Sequence, residues 1–291
     1  RSGRADVDSR RCPFIKDNCT KPDHGACSLK QVVGDPIIAC PNRLYGDNYK
    51  ILSDIADRIF GFQSKLIKPS EVKALLGTGS LVGNEVAVFG RRWGQELPLQ
   101  RPQGKDPKKI RNYYIDWILA RLDNKGSLAE FTAVEVQTID TTGNYNDQVV
   151  QFFAGNDFTD SQGRTPGYSS EGGMNWENVN KRILPQLIYK GHLLRRESKC
   201  TKGLFFVCPK QVLEKVKERL GNSMQNYVVA NSTITFMGYE VGHISASGLR
   251  PLILVEEFTT AVDEVARALT FPNNLPEMNI YEAAINSVLA K

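Results

Sequence analysis

The sequence predicts a mixed α/β protein, an α/β or α+β fold in which helices flank a mixed central sheet, preceded by a small segment rich in cysteine. Three observations lead to this expectation. Strand-like runs alternate with amphipathic runs at helical spacing, an order typical of such sheets. The chain of 291 residues is 41% hydrophobic and 24% charged, which suits a globular protein with a sizeable core. Four of the six cysteines fall within the first 40 residues.

The N-terminal segment, residues 1–45, is expected to be loop-like and to form a unit apart from residues 46–291. Its cysteines follow the spacing C-x6-C-x7-C-x12-C. They are Cys12, Cys19, Cys27 and Cys40. Four thiolates in a loop-rich segment suit a tetrahedral Zn²⁺ or Fe site, and a closed four-ligand site would be structural. The alternatives are free buried thiols, two disulfides, or His24 in place of one cysteine.

The remaining elements follow in chain order. The predicted strands are 85–90, 113–122, 129–140, 203–209, 233–241 and 252–260. The predicted helices begin at Tyr49, at Pro69 with Ser70 as N-cap, at Asn175 and near 211, and further helices close the chain. Pro185 should kink or split the helix that begins at Asn175. Residues 155–173, rich in Gly, Ser, Asp and Thr, should form a loop.

The predicted strand 129–140 carries polar residues at alternate positions. Side chains alternate in an extended chain, so Glu135 and Gln137 share one face while Val134 and Val136 share the other. The valines suit the core. An isolated carboxylate is very costly to bury, so the face of Glu135 must meet solvent, a cation or a basic partner.

A second acid, Asp116, lies in the middle of the preceding predicted strand, with eighteen residues between it and Glu135. If the two strands form a hairpin, the two carboxylates come close together, and a divalent cation would stabilise them. Hard oxygen ligands of this kind suit Mg²⁺, which also accepts phosphate oxygens. The arrangement is a loose form of the Asp…(Asp/Glu)-x-Lys pattern found in many nucleases. A salt bridge or a surface acid on an edge strand is the alternative reading.

Positive charge is concentrated in two stretches, although the net charge is only +5. Residues 91–111 hold seven Lys or Arg against two acids, and residues 181–202 hold seven against one. Such clusters favour contact with a nucleic-acid backbone but are also typical of solvated loops and helix faces. No stretch approaches the roughly 20 apolar residues that span a bilayer, and no signal segment is visible, so we expect a cytoplasmic protein without a membrane partner.

Four stretches of the sequence carry a resemblance to a known family. They are RCPFIKDNC…GACSLKQVVGDPIIACPNRLYG, YIDWILARL…AVEVQTIDTTGNY, NWENVNKRILPQLIYKG and KGLFFVCP, in order from Cys12 to Pro209. In these stretches the chain resembles the NotI and EagI group of Type II restriction endonucleases. The cysteine block and EVQTIDTTGNY are the specific parts, and nothing beyond about residue 215 matches.

The resemblance implies a PD-(D/E)xK-type nuclease core, Mg²⁺-dependent cleavage of double-stranded DNA, a homodimer, and iron in the four-cysteine site. By position, the family's catalytic Asp matches Asp116 and its Glu matches Glu135. Its Gln, which stands where most such nucleases have Lys, matches Gln137. Known members cut palindromes with a GGCC centre, so we expect a GC-rich palindromic site, and a cognate methyltransferase acting on the same site is a candidate partner.

Further site residues are expected around this centre. Glu96 follows a predicted strand and is a candidate additional acid near the metal, with an ordinary surface charge as its alternative. The candidate DNA contacts, each of which could equally be a surface residue, are Arg91, Arg92, Arg164, Lys181 and Arg182.

Two functions fit these residues. One is a site-specific endonuclease, and the other is a catalytically idle DNA-binding protein with a structural four-cysteine metal site. The presence of Asp116, Glu135 and Gln137 together favours catalysis. A Ser or Cys hydrolase has less support, because the sequence contains neither G-x-S-x-G nor H-E-x-x-H and its three histidines lie in contexts that do not suit a triad.

Overall fold

The structure is a computed structural model of the chain. It describes residues 11–290 except 16, 21–25, 30–34, 62, 100–112, 141–153, 155–173, 222–223, 244, 246–249, 273–274 and 276. The candidate residues His24 and Arg164 and the predicted loop 155–173 lie outside the described residues.

Strands and helices alternate through most of the described chain. The strands are β1 (Ser28–Leu29), β2 (Ile37–Ile38), β3 (Lys65–Ile67), β4 (Glu85–Gly90), β5 (Pro98–Leu99), β6 (Tyr113–Tyr114), β7 (Trp117–Leu122), β8 (Leu128–Val136), β9 (Leu204–Pro209), β10 (Thr233–Val241) and β11 (Leu252–Ala261). The helices are α1 (Pro41–Leu44), α2 (Gly46–Phe60), α3 (Val72–Gly77), α4 (Leu184–Leu194), α5 (Lys210–Leu220), α6 (Val262–Thr270) and α7 (Ile280–Leu289).

Seven strands form one mixed sheet in the order β11-β10-β9-β8-β7-β4-β3. The pairs β8/β9, β9/β10 and β3/β4 are parallel, while β4/β7, β7/β8 and β10/β11 are antiparallel. Two small two-stranded sheets, β1/β2 and β5/β6, stand apart from it. The prediction of a mixed sheet with flanking helices is therefore confirmed.

Both faces of the central sheet are buried. Helix α2 covers one face, where Leu52 packs in the cluster that includes Val134 and Phe205. Helices α4, α5 and α6 cover the other face, where Phe206 and Leu187 pack together. Neighbouring Phe205 and Phe206 enter opposite clusters because side chains alternate along a strand. Burial on both sides explains why β9 is apolar along its whole length.

Several predicted boundaries were wrong. The predicted strand 113–122 is interrupted at Ile115 and Asp116, so Asp116 lies just before β7 and not within a strand. The predicted strand 129–140 ends at Val136. The 3₁₀ turn Pro69–Glu71 that precedes α3 has Lys68 as its N-cap, and the Glu71 carboxylate accepts the Lys68 N–H at 2.8 Å, which replaces the expected cap at Ser70.

The expected break at Pro185 is confirmed. A π-helical turn, Val179–Ile183, leads into α4, and Pro185 stands in the first turn of α4. Proline has no N–H to donate to the preceding turn, so the helix changes its hydrogen-bond pattern there.

The N-terminal segment contacts the main core. Ile37 and Ile38 of β2 are buried in the clusters on the two faces of the sheet. The Thr138 hydroxyl, just beyond β8, donates to the Ala39 carbonyl oxygen at 3.0 Å. The division into residues 1–45 and 46–291 stays a prediction.

Gly203, at the entrance to β9, holds a conformation that only glycine accepts without strain. Its φ is +66°, and a Cβ there would lie 2.3 Å from the Thr233 carbonyl oxygen and 2.6 Å from that of Ala230. We expect Gly203→Ala to lower the free energy of unfolding by at least about 2 kcal/mol, because backbone would have to move. In the control Gly79→Ala, φ is +64° but nothing lies within 4 Å, so only the left-handed penalty of about 1 kcal/mol applies. Urea denaturation measures the free energy of unfolding of both variants, and equal losses of stability would contradict this account.

Candidate active site

The hairpin of β7 and β8 positions the candidate site. Trp117 pairs with Val134, and the turn is held by the Asp123 carboxylate, which accepts the N–H groups of Lys125 and Ser127. On the other side of β7, Trp117 pairs with Gly90, the last residue of β4. The site therefore lies where β4 and β8 end and β7 begins. The predicted hairpin is confirmed.

Asp116 is fixed by the neighbouring strand. Its Oδ2 accepts the Val136 N–H at 2.8 Å. Burial raises the pKa of Asp116 above its ordinary value, the negative charge of Glu96 raises it further, and the Val136 N–H and the Lys190 ammonium lower it. The carboxyl group is thus near a cation and another acid while most of its surface is withdrawn from water.

Glu135 is buried, with 8% of its surface exposed, on the sheet face that α4 covers. Its Oε1 accepts from Lys190 Nζ at 2.5 Å, while its Oε2 is buried without a hydrogen-bond partner in the structure. Burial and then the negative charge of Asp116 raise the pKa of Glu135, and Lys190 opposes the rise. The sequence required this face to meet solvent, a cation or a basic partner, and the structure supplies the basic partner.

Lys190 is the residue that sequence reasoning missed. It lies in α4 between Leu187 and Leu194, on the buried side of the helix, and is itself only 5% exposed. It stands three positions after Leu187 and four positions before Leu194, which places a lysine within an apolar stripe. That break in the stripe was the available signal, because lysine is almost never buried unless it is paired.

The other two predicted site residues, Glu96 and Gln137, lie in different environments. Glu96 is exposed and lies within electrostatic reach of Asp116, whose pKa its negative charge raises. Its place near a metal stays a prediction. Gln137 is half-buried beyond the end of β8; its N–H donates to the Val207 carbonyl oxygen at 3.0 Å. Its side-chain Nε2 donates to the Thr138 carbonyl oxygen at 2.9 Å, so the amide is bonded to main chain.

Aromatic side chains pack beside the carboxylates. The Tyr45 ring meets Trp117 edge to face, with centroids 5.3 Å apart, and Tyr49 lies 5.4 Å from Trp117. Burial raises the pKa of Tyr45, and the charges of Asp116 and Glu135 raise it further, so the phenol is neutral and close to both acids. These rings help to exclude water from one side of the site.

Four of the five candidate DNA contacts can be located. Arg91 is exposed and directly follows β4, and Arg92 is half-buried and lies 3.5 Å from the Asp17 carboxylate. The other two lie in the π-helical turn. Lys181 is 3.6 Å from Glu177, and Arg182 is 3.1 Å from Asp140, four residues beyond β8. Arg91 and Arg92 thus follow β4, whose last residue pairs with Trp117 next to Asp116, and Arg182 pairs with an acid beyond the end of β8.

The chemistry of the pair fits a divalent cation. The two negatively charged carboxylates repel each other, and one of them has a buried oxygen without a partner. A shared Mg²⁺ would therefore stabilise both in their ionised form. Among the residues described, no three His, Cys, Asp or Glu side chains form a group that could hold a metal ion. Mg²⁺ commonly takes only one or two carboxylates together with waters and phosphate oxygens, so the pair is sufficient for it.

The four N-terminal cysteines lie within electrostatic reach of one another. Although Cys27 as a residue is exposed, its thiol is partly enclosed by surrounding atoms, which raises its pKa to about 12, and the charges of Cys40, Cys12 and Cys19 raise the pKa further, in that order. The Cys27 carbonyl oxygen accepts the Cys40 N–H at 3.3 Å, and all four are free thiols, so the alternative of two disulfides is not observed. A four-cysteine metal site stays a prediction.

No helix within the described part of the chain has the length and apolar character required to cross a membrane.

Comparison with known proteins identifies one family. The model of the family described as restriction endonuclease NotI matches residues 3–218, which include the cysteine segment, the β7/β8 hairpin and α4. No curated protein matches the chain.

Proposed function

The chain belongs to the NotI restriction endonuclease family and is a site-specific deoxyribonuclease, and from this premise we propose that it cuts double-stranded DNA with a Mg²⁺ ion held by Asp116 and Glu135. The observation that carries the proposal is the pair of carboxylates where β7 begins and β8 ends: Asp116 is half-buried, while Glu135 is buried and keeps an unpaired oxygen. The order of acids on a β-hairpin within a mixed sheet supports a PD-(D/E)xK-type core.

The chain's own residues prepare this centre. The Val136 N–H holds the Asp116 carboxylate in place, and Lys190 holds one oxygen of Glu135. Glu96 adds a third negative charge on the solvent side. When bound, Mg²⁺ would supply positive charge to the scissile phosphate and make a neighbouring water more acidic.

Gln137 has a limited role in this proposal. A neutral amide cannot accept a proton as a base at ordinary pH. Its Nε2 is engaged with the Thr138 carbonyl oxygen, so it would have to leave that bond before it could orient a water or a phosphate oxygen. Gln137 is therefore proposed to orient, and not to generate, the nucleophile.

DNA would approach the end of the sheet where the carboxylates and basic residues lie together. Arg91, Arg92, Lys181 and Arg182 would contact it, and arginine side chains that reach guanine edges would read a GC-rich sequence. Exposed ion pairs such as Arg182–Asp140 are worth no more than about 1 kcal/mol, so phosphate could replace Asp140 as a partner. A palindromic site would require a homodimer with matching two-fold symmetry.

Two further proposals complete this reading. The four N-terminal cysteines would hold one structural iron or zinc ion, because their charges act on one another and thiolates are suitable ligands for both metals. Metal binding would have to draw the thiols closer together, since among the described residues no three such side chains already form a metal-holding group. Six unpaired cysteines suit a reducing compartment, which supports a cytoplasmic location. A cognate methyltransferase that acts on the same site would protect the host DNA.

Incubation with a plasmid of known sequence and Mg²⁺ tests the proposed function. We expect double-strand breaks at one GC-rich palindrome, identified by sequencing the fragment ends, and no breaks when EDTA replaces Mg²⁺. Cleavage that persists in EDTA would contradict the metal proposal. Binding to DNA without cleavage under any divalent metal would favour the catalytically idle alternative.

A further inference from the structure

We propose that Lys190 is the positively charged member of the active site, contributed by helix α4 and not by the strand that carries Glu135. In this role Lys190 is a positioning residue: it holds the Glu135 carboxylate in place and offsets one of the two negative charges at the site. The inference rests on the proposed function, because it assigns a role to Lys190 within that same site.

The contact itself is the first support. Lys190 Nζ lies 2.5 Å from Glu135 Oε1, and 6% of the lysine side chain and 11% of the glutamate side chain are exposed. Withdrawing an ammonium group and a carboxylate from water is costly, and an apolar pair of similar volume is often as stable. A buried pair of this kind is weak evidence of a role in stability and directs attention to function.

The second support is the position of the ammonium group relative to both acids. Lys190 Nζ contacts Glu135 Oε1, and the residue next to Glu135, Val136, donates its N–H to the Asp116 carboxylate at 2.8 Å, so the ammonium group lies beside a linked pair of acids. Ionised Asp116 and Glu135 carry two negative charges, and the ammonium reduces the net charge of the three groups to minus one. A phosphodiester is an anion, so this reduction favours its approach.

The third support is that Gln137 does not supply a positive charge to the site. It occupies the strand position two residues after Glu135, but its amide is neutral and bonded to the Thr138 carbonyl oxygen. A charge needed at the site must therefore come from another element. Helix α4 packs across the face of β8 that carries Glu135, and Lys190 projects from it to that carboxylate.

The fourth support is that close packing fixes the helix. A Cβ on Gly191, next to Lys190, would lie 2.7 Å from Val262 Cγ2, so α4 and α6 approach as closely as glycine permits. Because α4 is held against α6, the backbone position of Lys190 is fixed. A rigid backbone favours accurate placement of a side chain in a site.

Lys190→Met removes the charge and keeps the length of the side chain, and Lys190→Arg keeps the charge. The matched control is Lys210→Met, which breaks another Lys–Glu contact, 3.6 Å from Glu240, in which both side chains are partly exposed. The test first measures the thermal stability of each variant. Well below the melting temperature of each variant, it then measures single-turnover cleavage of DNA that contains the site found by plasmid digestion, and DNA affinity with Ca²⁺.

We expect Lys190→Met to slow cleavage by about 100-fold or more, as removal of a charge-stabilising group does, with DNA affinity changed by less than about threefold. Lys190→Arg should be about tenfold slower than the parent enzyme and at least about tenfold faster than Lys190→Met, since its charge is kept but displaced. Lys210→Met should cleave at the parent rate.

A folded Lys190→Met variant that cleaves at the parent rate would overturn the inference, as would Lys190→Arg being no faster than Lys190→Met. A loss of DNA affinity in parallel with the loss of rate would point to a purely structural pair and would also overturn it. If Lys190→Met does not fold, Lys190→Gln decides, because its amide can still donate to Glu135 but carries no charge: cleavage at the parent rate contradicts the role. Failure of the proposed function is distinguishable, because the parent enzyme itself would then not cut with Mg²⁺.

Discussion

Asp116→Asn is expected to lower the rate of DNA cleavage by at least about 100-fold, with DNA affinity and stability close to those of the parent chain. The amide keeps an oxygen that can accept the Val136 N–H, so the local structure should survive. What is lost is the negative charge that would hold the metal. Single-turnover cleavage with Mg²⁺ and DNA binding with Ca²⁺ measure the two effects separately.

The control for this substitution is Asp54→Asn. Asp54 is exposed on helix α2 and pairs with Lys50 at 2.6 Å, so its loss should leave cleavage unchanged. A second comparison is Glu135→Ala, which should abolish cleavage and also destabilise the fold by about 3–5 kcal/mol, because Lys190 is left buried without its partner. Parent-like cleavage by both Asp116→Asn and Glu135→Ala would rule out the proposed site.

Cys27→Ser is expected to have the second large effect, loss of a bound metal. Purified parent protein should contain about one iron or zinc ion per chain, since four thiolates form a single site. Cys27 is exposed, so as an ordinary surface thiol it would tolerate serine with a change within about 0.5 kcal/mol. As a metal ligand it would not, because metal binding supplies the free energy that orders a loop-rich segment. Elemental analysis and limited proteolysis near the N-terminus report the two consequences.

The control here is Cys208→Ala, near the C-terminal end of strand β9. Cys208 is fully buried in the core and lies on a different element from the four N-terminal cysteines. Its substitution should cost a little stability and leave the metal content unchanged. Parent protein that is folded and free of both iron and zinc would refute the four-cysteine site.

The alternation of apolar residues was enough to predict most of the central sheet. The predicted strands 85–90, 233–241 and 252–260 agree with β4, β10 and β11 to within one residue, because their patterns are long and bounded by turn residues. Sequence reasoning failed where a partner element decides the conformation. Asp116 looked like part of a strand, yet it stands before β7 because its carboxylate caps the Val136 N–H of the neighbouring strand.

The sequence by itself determined the family, the β7/β8 hairpin and the two acids that it brings together, because these depend on residues close to each other in the chain. Only the tertiary structure showed that the face of Glu135 is covered by α4 and that Lys190 meets it there. The two residues are 55 positions apart, and no local pattern links a helix to the strand on which it packs. Long-range packing sets the distance between two charges, and that distance in the dry interior determines how strongly they interact.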